Sequence, residues 1–229
     1  MHFMQSSAPG LRERRRVETS GQLNATARRL TAERGLAGFT VDEVCELVGV
    51  SRRTFFNHFA SKDDAVLGLP AHADHADAEE RFLAGGPDSS PPAGHPLSPT
   101  LVDDLADLLI DRWEVMDLTL EDARDLVAAF DREPRLIARV HELNRARERG
   151  DTVLVERREH LAPGDLRAAA AVHVLVAVLR MSVEAFLDPT TEEAFREAFA
   201  RRLTAARTVL ATPATSTTAT EPARTERTS

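Results

Sequence analysis

A chain of 229 residues, 42% hydrophobic and 29% charged, is long enough to bury one large or two modest cores and too apolar to be disordered throughout. No stretch approaches 18 uninterrupted apolar positions, so no transmembrane helix is expected, and Met1 to Gly10 lacks the apolar run of a secretion signal. One cysteine, Cys45, rules out an intramolecular disulfide and a thiolate zinc scaffold and fits a reducing, cytoplasmic setting, while a net charge of −8 argues against coating nucleic acid along the whole chain.

The charge is unevenly divided. Residues 12–62 hold ten Lys and Arg against six Asp and Glu, a net of +4, whereas residues 63–229 hold nineteen against thirty-one, a net of −12. Phosphate attraction needs local positive charge, so a basic module on an acidic body is expected if only the first segment meets a polyanion. Apolar residues recur at three and four spacing and no window alternates like a strand, which predicts an all-α fold. The expected divisions are a flexible basic arm over 1–16, a three-helix unit over 17–62, a larger helical domain over 63–211 containing a Gly/Pro/Ser-rich loop at 85–99, and a Thr-rich disordered tail over 212–229.

In chain order, Arg12, Arg14, Arg15 and Arg16 lead into a helix whose apolar face is Val17, Leu23, Ala27 and Leu30, and Gly35 ends it. Thr40 and Glu43 have capping-box spacing ahead of a short helix with the stripe Val41, Val44, Leu47 and Val48. Gly49 supplies a turn, Ser51 caps a helix from Arg52 to Phe59, and Ser61 with Asp64 caps a fourth helix expected to run from Lys62 to Leu83. Two short helices around a Gly-containing turn form a helix-turn-helix. Phe55 and Phe59, four apart, pack inward, leaving Arg52, Arg53, Thr54, Phe56, Asn57 and His58 over the remaining circumference. Arginine there bridges guanine O6 and N7, the Thr54 methyl meets a thymine methyl, and the Ser51 hydroxyl with nearby backbone N–H groups suits a phosphate.

The residues Glu33-Arg34-Gly35, Phe39-Thr40-Val41 and Gly49 through Asp63 (GVSRRTFFNHFASKD) resemble the DNA-binding domain of TetR-family transcriptional regulators, over about Arg16 to Leu67. The resemblance implies that Arg52, Arg53 and Thr54 face base edges and that Phe56, His58 and Lys62 lie against the phosphate backbone, with Thr40, Ser51 and Asn57 in the same DNA-binding set. Family members usually carry Tyr where this chain has Phe56, and the chain has no tyrosine, so the phenolic bond to phosphate is absent. Gly21, Asn24 and Thr31 also stand where the family often has larger apolar residues.

Beyond the loop, helices are predicted over Leu101 to Leu118, Leu120 to Arg132, from Pro134 onward, over Leu166 to Leu187 and over Thr191 to Leu210. The Leu166 helix is apolar around much of its circumference and needs burial on several sides, which a second subunit supplies. The resemblance implies the same: a homodimer pairing its last two long helices as a four-helix bundle. His173, Ala177, Arg180 and Glu184 share one stripe of that helix, and two readings are open: an effector pocket using His173 and Arg180, or pairing between protein groups such as Arg180 with Glu184. Trp113, Met116, Phe130 and Met181 are core residues or pocket lining. His72, Asp74, His75 and Asp77 form a solvated linker face, not a metal site, since Gly68 and Pro70 disturb the helix that ligand spacing requires; neither metal nor cofactor is expected. The resemblance implies a one-component regulator of palindromic double-stranded DNA, most often a repressor released by a small molecule, of amphipathic or acyl type. The alternatives are a helical interaction regulator without an effector and, with no catalytic motif behind it, an enzyme.

Overall fold

The computed structural model describes residues 11–71, 76–87, 96–116, 118–188, 190 and 193–211. Among them the fold is all-α, with a helix-turn-helix unit first and a larger helical region after it. The order is α1 (Leu11–Arg34), a 3-10 turn at Leu36–Gly38, α2 (Val41–Val48), α3 (Arg52–His58), α4 (Lys62–Leu67), α5 (Ala76–Ala84), α6 (Leu101–Glu114), α7 (Leu120–Arg132), α8 (Arg135–Arg158), α9 (Leu166–Leu187) and α10 (Phe195–Leu210).

Helical periodicity decides which predicted core positions go inside. Leu23, Ala27 and Leu30 of α1 are fully buried, while Val17 is 48% exposed. Six residues before Leu23, it sits roughly 120° around the helix from that face. In α2 the inward face centres on Val44 and Cys45, both buried, and Leu47, about 110° away from that centre, is 55% exposed. The basic arm expected over 1–16 is helical from Leu11; residues 1–10 lie outside the described set, as does the tail expected over 212–229. The helix expected from Lys62 to Leu83 is two helices. Gly68 closes α4 in the left-handed conformation, its N–H donating to the Asp64 and Ala65 carbonyls, and Pro70 follows. Helix α6 stops at Glu114, short of Leu118, and α10 starts at Phe195, later than Thr191.

Two cores result. The first joins Leu23 and Leu30 of α1, Val44 of α2, Phe55 of α3 and Val66 of α4 to Leu126 of α7 and Leu136 of α8. The division expected at residue 62 therefore falls ahead of α4, whose Ala65, Val66 and Leu67 complete the first core. The second core packs Phe82, Leu105 and Leu109 against Val155, Leu175 and Phe199 of α8, α9 and α10. Both flanks of the Gly/Pro/Ser-rich segment are fastened to the end of α8. Buried Arg158 donates to Asp104, the Thr100 hydroxyl and the Gly85 carbonyl, and buried Glu159 accepts from the Ser98 backbone N–H and hydroxyl. Residues 88–95 lie outside the described set.

The N-terminal unit is seated on α7 and α8 by polar as well as apolar contacts. Arg28 of α1, 1% exposed, donates through Nε to the Val66 carbonyl (2.9 Å) and through Nη1 to Asp122 (3.1 Å) at the start of α7. Asp122 also completes a capping box with Thr119. At the far end of α7, Glu133 Oε1 accepts the Leu36 N–H at 2.7 Å. Gly35 permits that approach: its φ is +72°, and a Cβ there would stand 2.8 Å from the same oxygen.

Helix α9 is by length and composition apolar enough to cross a membrane, which a search for uninterrupted apolar runs overlooks because His173 and Arg180 break the run without offsetting its alanines, valines and leucines. Ala168, Val172, Leu175, Val178 and Ser182 face the second core, yet only 22% of its most apolar window is buried. Ala171, Val174, Val176, Leu179, Val183 and Phe186 pack against the same core while only partly buried, and Leu166 and Met181 are exposed.

Candidate nucleic-acid interface

The reading unit is assembled by local rules. Thr40 Oγ1 accepts the Glu43 N–H at 3.1 Å to start α2, but the reciprocal half of the expected capping box is not made, because the Glu43 carboxylate binds Arg34 Nη1 at 2.6 Å. Gly49, at φ +77°, ends α2 with its N–H on the Cys45 and Glu46 carbonyls and turns the chain into α3. Ser51 Oγ accepts the Thr54 N–H at 3.1 Å and is hydrogen-bonded to the Thr54 hydroxyl at 2.8 Å, so the two hydroxyls that open α3 hold each other.

The faces of α3 then separate. Phe55 and the following Phe59 are fully buried, with ring centroids 5.9 Å apart, and they anchor the helix to α1, α2 and α4. Ser51, Arg52, Arg53, Phe56 and Asn57 are exposed, and Thr54 is half-buried at their edge. Arg52 donates to Asp42 on α2 and lies over the Phe56 ring. Arg53 has no carboxylate within ion-pair distance among the described residues. The outward side of α3 is thus a basic, exposed surface, and Arg12, Arg14 and Arg15 on the first turns of α1 are exposed as well.

Two residues expected at the phosphate backbone are placed otherwise. His58 is buried, because at 100° per residue it falls only about 60° from Phe55. Burial, and secondarily the charge of Arg16, lower its pKa below the usual 6.5. Its neutral form is therefore favoured in the folded state. Stability is intact above the unfolded-chain value near 6.5 and is lost as pH falls from there through the folded pKa. The melting temperature is expected to drop between about pH 7.5 and about pH 5 by more in the native protein than in His58→Gln. Equal drops would contradict this assignment.

Lys62 is half-buried, with its ammonium donating to the Leu36 carbonyl at 2.5 Å and the Phe39 carbonyl at 2.8 Å and lying 4.7 Å from the centre of the Phe39 ring. Two of its three N–H groups tie α4 to the segment between α1 and α2, leaving at most one for a phosphate. Asp42, Arg28 and Glu133 have no local spacing signal. Their partners are ten, 38 and 97 residues away in sequence, and only the tertiary structure brings them together.

The residues considered for an effector pocket are not brought into one site. Trp113 stacks on Phe195 at 4.8 Å and meets Phe186 edge-on, Phe130 packs against the first core, and Met116 is half-buried near the end of α6. The His173, Arg180 and Glu184 stripe faces outward: Arg180 and Glu184, 3.9 Å apart, are 71% and 69% exposed, and Met181 beside them is 52% exposed. Two open grooves, of about 420 and 540 Å³, run along α8 toward Pro163, and only His173 of the expected residues lines either. His72, Asp74 and His75 lie outside the described residues, and no group of metal-ligating side chains occurs among those described.

Residues 23–67 match the family model described as bacterial regulatory proteins, tetR family. The HTH-type transcriptional regulator TcmR of Streptomyces glaucescens is 41% identical over 78 residues, a match covering 34% of this chain and 32% of TcmR. The chain therefore spans only about a third of the length of the curated relative it matches. The matched model encloses the core of α1, the turn at Gly49, the rod of α3 and all of α4. Over residues 23–67, therefore, the chain carries a helix-turn-helix segment similar to that of the tetR family of bacterial regulatory proteins.

Proposed function

We propose that the protein is a homodimeric transcriptional regulator that binds a palindromic operator through paired copies of α3 and acts as a repressor released by a small effector. The observation that carries this reading is the division of α3: Phe55 and Phe59 are fully buried on one side, while Arg52, Arg53, Phe56 and Asn57 are exposed on the other. A helix held so firmly and presented so openly suits insertion into a major groove. One such helix reaches only a few base pairs, so recognition of a defined operator calls for two, about 34 Å apart on a symmetric pair. The partly buried apolar residues of α9 and its exposed Leu166 and Met181 support a second copy as further cover, with the exposed Val209 and Leu210 of α10.

Helices α4 and α7 are the route by which an effector in the second helical region would alter the reading heads, since both belong to the first core and α7 also touches α9. An effector shifts DNA affinity by no more than its differential binding to the two arrangements. A second reading, a regulator that responds to a protein partner without a small effector, is favoured by one observation: the aromatic residues considered for a pocket, Trp113 and Phe130, are spent on packing. In either reading the chain is a regulator with a cytoplasmic site of action and not an enzyme.

Arg53→Ala tests the assignment. It is expected to lower operator affinity by about 1–3 kcal/mol and to relax sequence preference at one position of each half-site. Unaltered affinity and preference, measured by titration of labelled duplex, would overturn the role given to α3.

A further inference from the structure

We infer that Asp42 is a specificity-determining residue: its carboxylate and the Phe56 ring hold the Arg52 guanidinium so that one edge is presented to a base pair. The inference rests on the DNA-binding reading above and adds to it a residue on α2, outside the reading helix. Asp42 occupies the first turn of α2 and Arg52 opens α3. Arg52 Nη1 donates to both carboxylate oxygens, at 3.0 Å to Oδ1 and 2.9 Å to Oδ2. Its guanidinium carbon lies 5.4 Å from the centre of the Phe56 ring. A guanidinium has five N–H donors, and this arrangement engages only Nη1. The Nε and Nη2 edge is left as a fork, and a fork of that geometry matches the O6 and N7 acceptors of guanine.

Stability does not account for the contact. The two side chains are 59% and 66% exposed, and an ion pair in water contributes little to folding. A carboxylate beside a helix that approaches phosphates is moreover repelled by them. What the contact does supply is order. A free arginine loses much rotamer freedom on docking, and one already fixed by a carboxylate and an aromatic face loses less. Phe56 fits this use, because without a hydroxyl it has no phosphate bond to make and its ring face is available to the cation. Arg53, next in sequence, has no such support among the described residues.

The test selects bound duplexes from a randomised pool with the full-length protein, Asp42→Ala, Asp42→Asn, Arg52→Ala and the double variant Asp42→Ala/Arg52→Ala. Thermal melts accompany the selection to show that each variant folds. The wild type is expected to select a motif with a preferred base at one position of each half-site that Arg52→Ala relaxes. Asp42→Ala should relax that same position, lowering discrimination there on the order of tenfold, while overall affinity for random duplex stays the same or rises. Asp42→Asn should fall between, and the double variant should match Arg52→Ala alone. An Asp42→Ala protein that binds all duplexes more tightly with an unchanged motif would show that Asp42 is only a repulsive charge, and the inference would be wrong. Relaxation at a position insensitive to Arg52 would overturn it too. A folded wild-type protein that selects no motif would refute the underlying DNA-binding reading, and the inference with it.

Discussion

Arg28→Ala is expected to destabilise the protein by about 3–5 kcal/mol, the range for removing one partner of a buried ion pair. Arg28 is 1% exposed and is the junction of three helices: it belongs to α1, binds the Val66 carbonyl of α4 and pairs with Asp122 of α7. Its removal leaves that carbonyl without its donor and the acidic start of α7 without its nearest cation. The effect of that acidity is visible at Asp125, whose pKa is raised by burial and then by Asp122 and Glu121, with Arg29 and Arg28 acting in the opposite direction. Arg28→Met keeps most of the stem and its packing and is expected to lose less than the alanine variant. Chemical denaturation followed by circular dichroism measures both. An alanine variant with wild-type stability would show that α1 and α7 are joined by apolar contact alone.

Phe55→Ala has a comparable expected cost, about 3–5 kcal/mol, for a different reason. The ring is fully buried against Phe59 in the core formed with the side chains of α1, α2 and α4, and its loss leaves a cavity there. Because Phe55 and the exposed arginines are on opposite sides of one short helix, DNA binding is expected to be lost through displacement of α3 and not through loss of a contact. Phe55→Leu, which restores most of the volume, should recover both stability and binding in part. Recovery of neither, in a protein that still folds, would contradict this account of α3.

The legible parts of the molecule were those governed by short-range rules. Ser51, Thr40 and Ser61 occupy N-cap positions because their side-chain oxygens reach an N–H three residues on, and Gly49 and Gly35 end helices where the chain must turn. The four-residue spacing of Phe55 and Phe59 fixed the inward side of α3, and the same angular reckoning applied one step further puts His58 inside as well. Val17 and Leu47 went astray in the same way, as apolar residues assigned to a face by type when their angle places them off it. Lys62 could not be read locally: its ammonium is directed by the carbonyls of Leu36 and Phe39, more than twenty residues earlier. The same holds for Asp42 with Arg52 and for Glu133 with Leu36, contacts across turns and between the two cores. In the second helical region, helix existence followed from periodicity, but pocket membership depends on packing between five helices, which no single-helix stripe encodes.

If two copies of α3, fixed on a symmetric pair, enter successive major grooves, the DNA that the protein selects carries the spacing and symmetry of that pair. Selection should return a palindrome whose half-sites are centred about one helical turn, roughly 34 Å, or a whole multiple of it apart, occupied by two copies of the chain in sedimentation of the complex. A single asymmetric site bound by one copy would contradict that pairing.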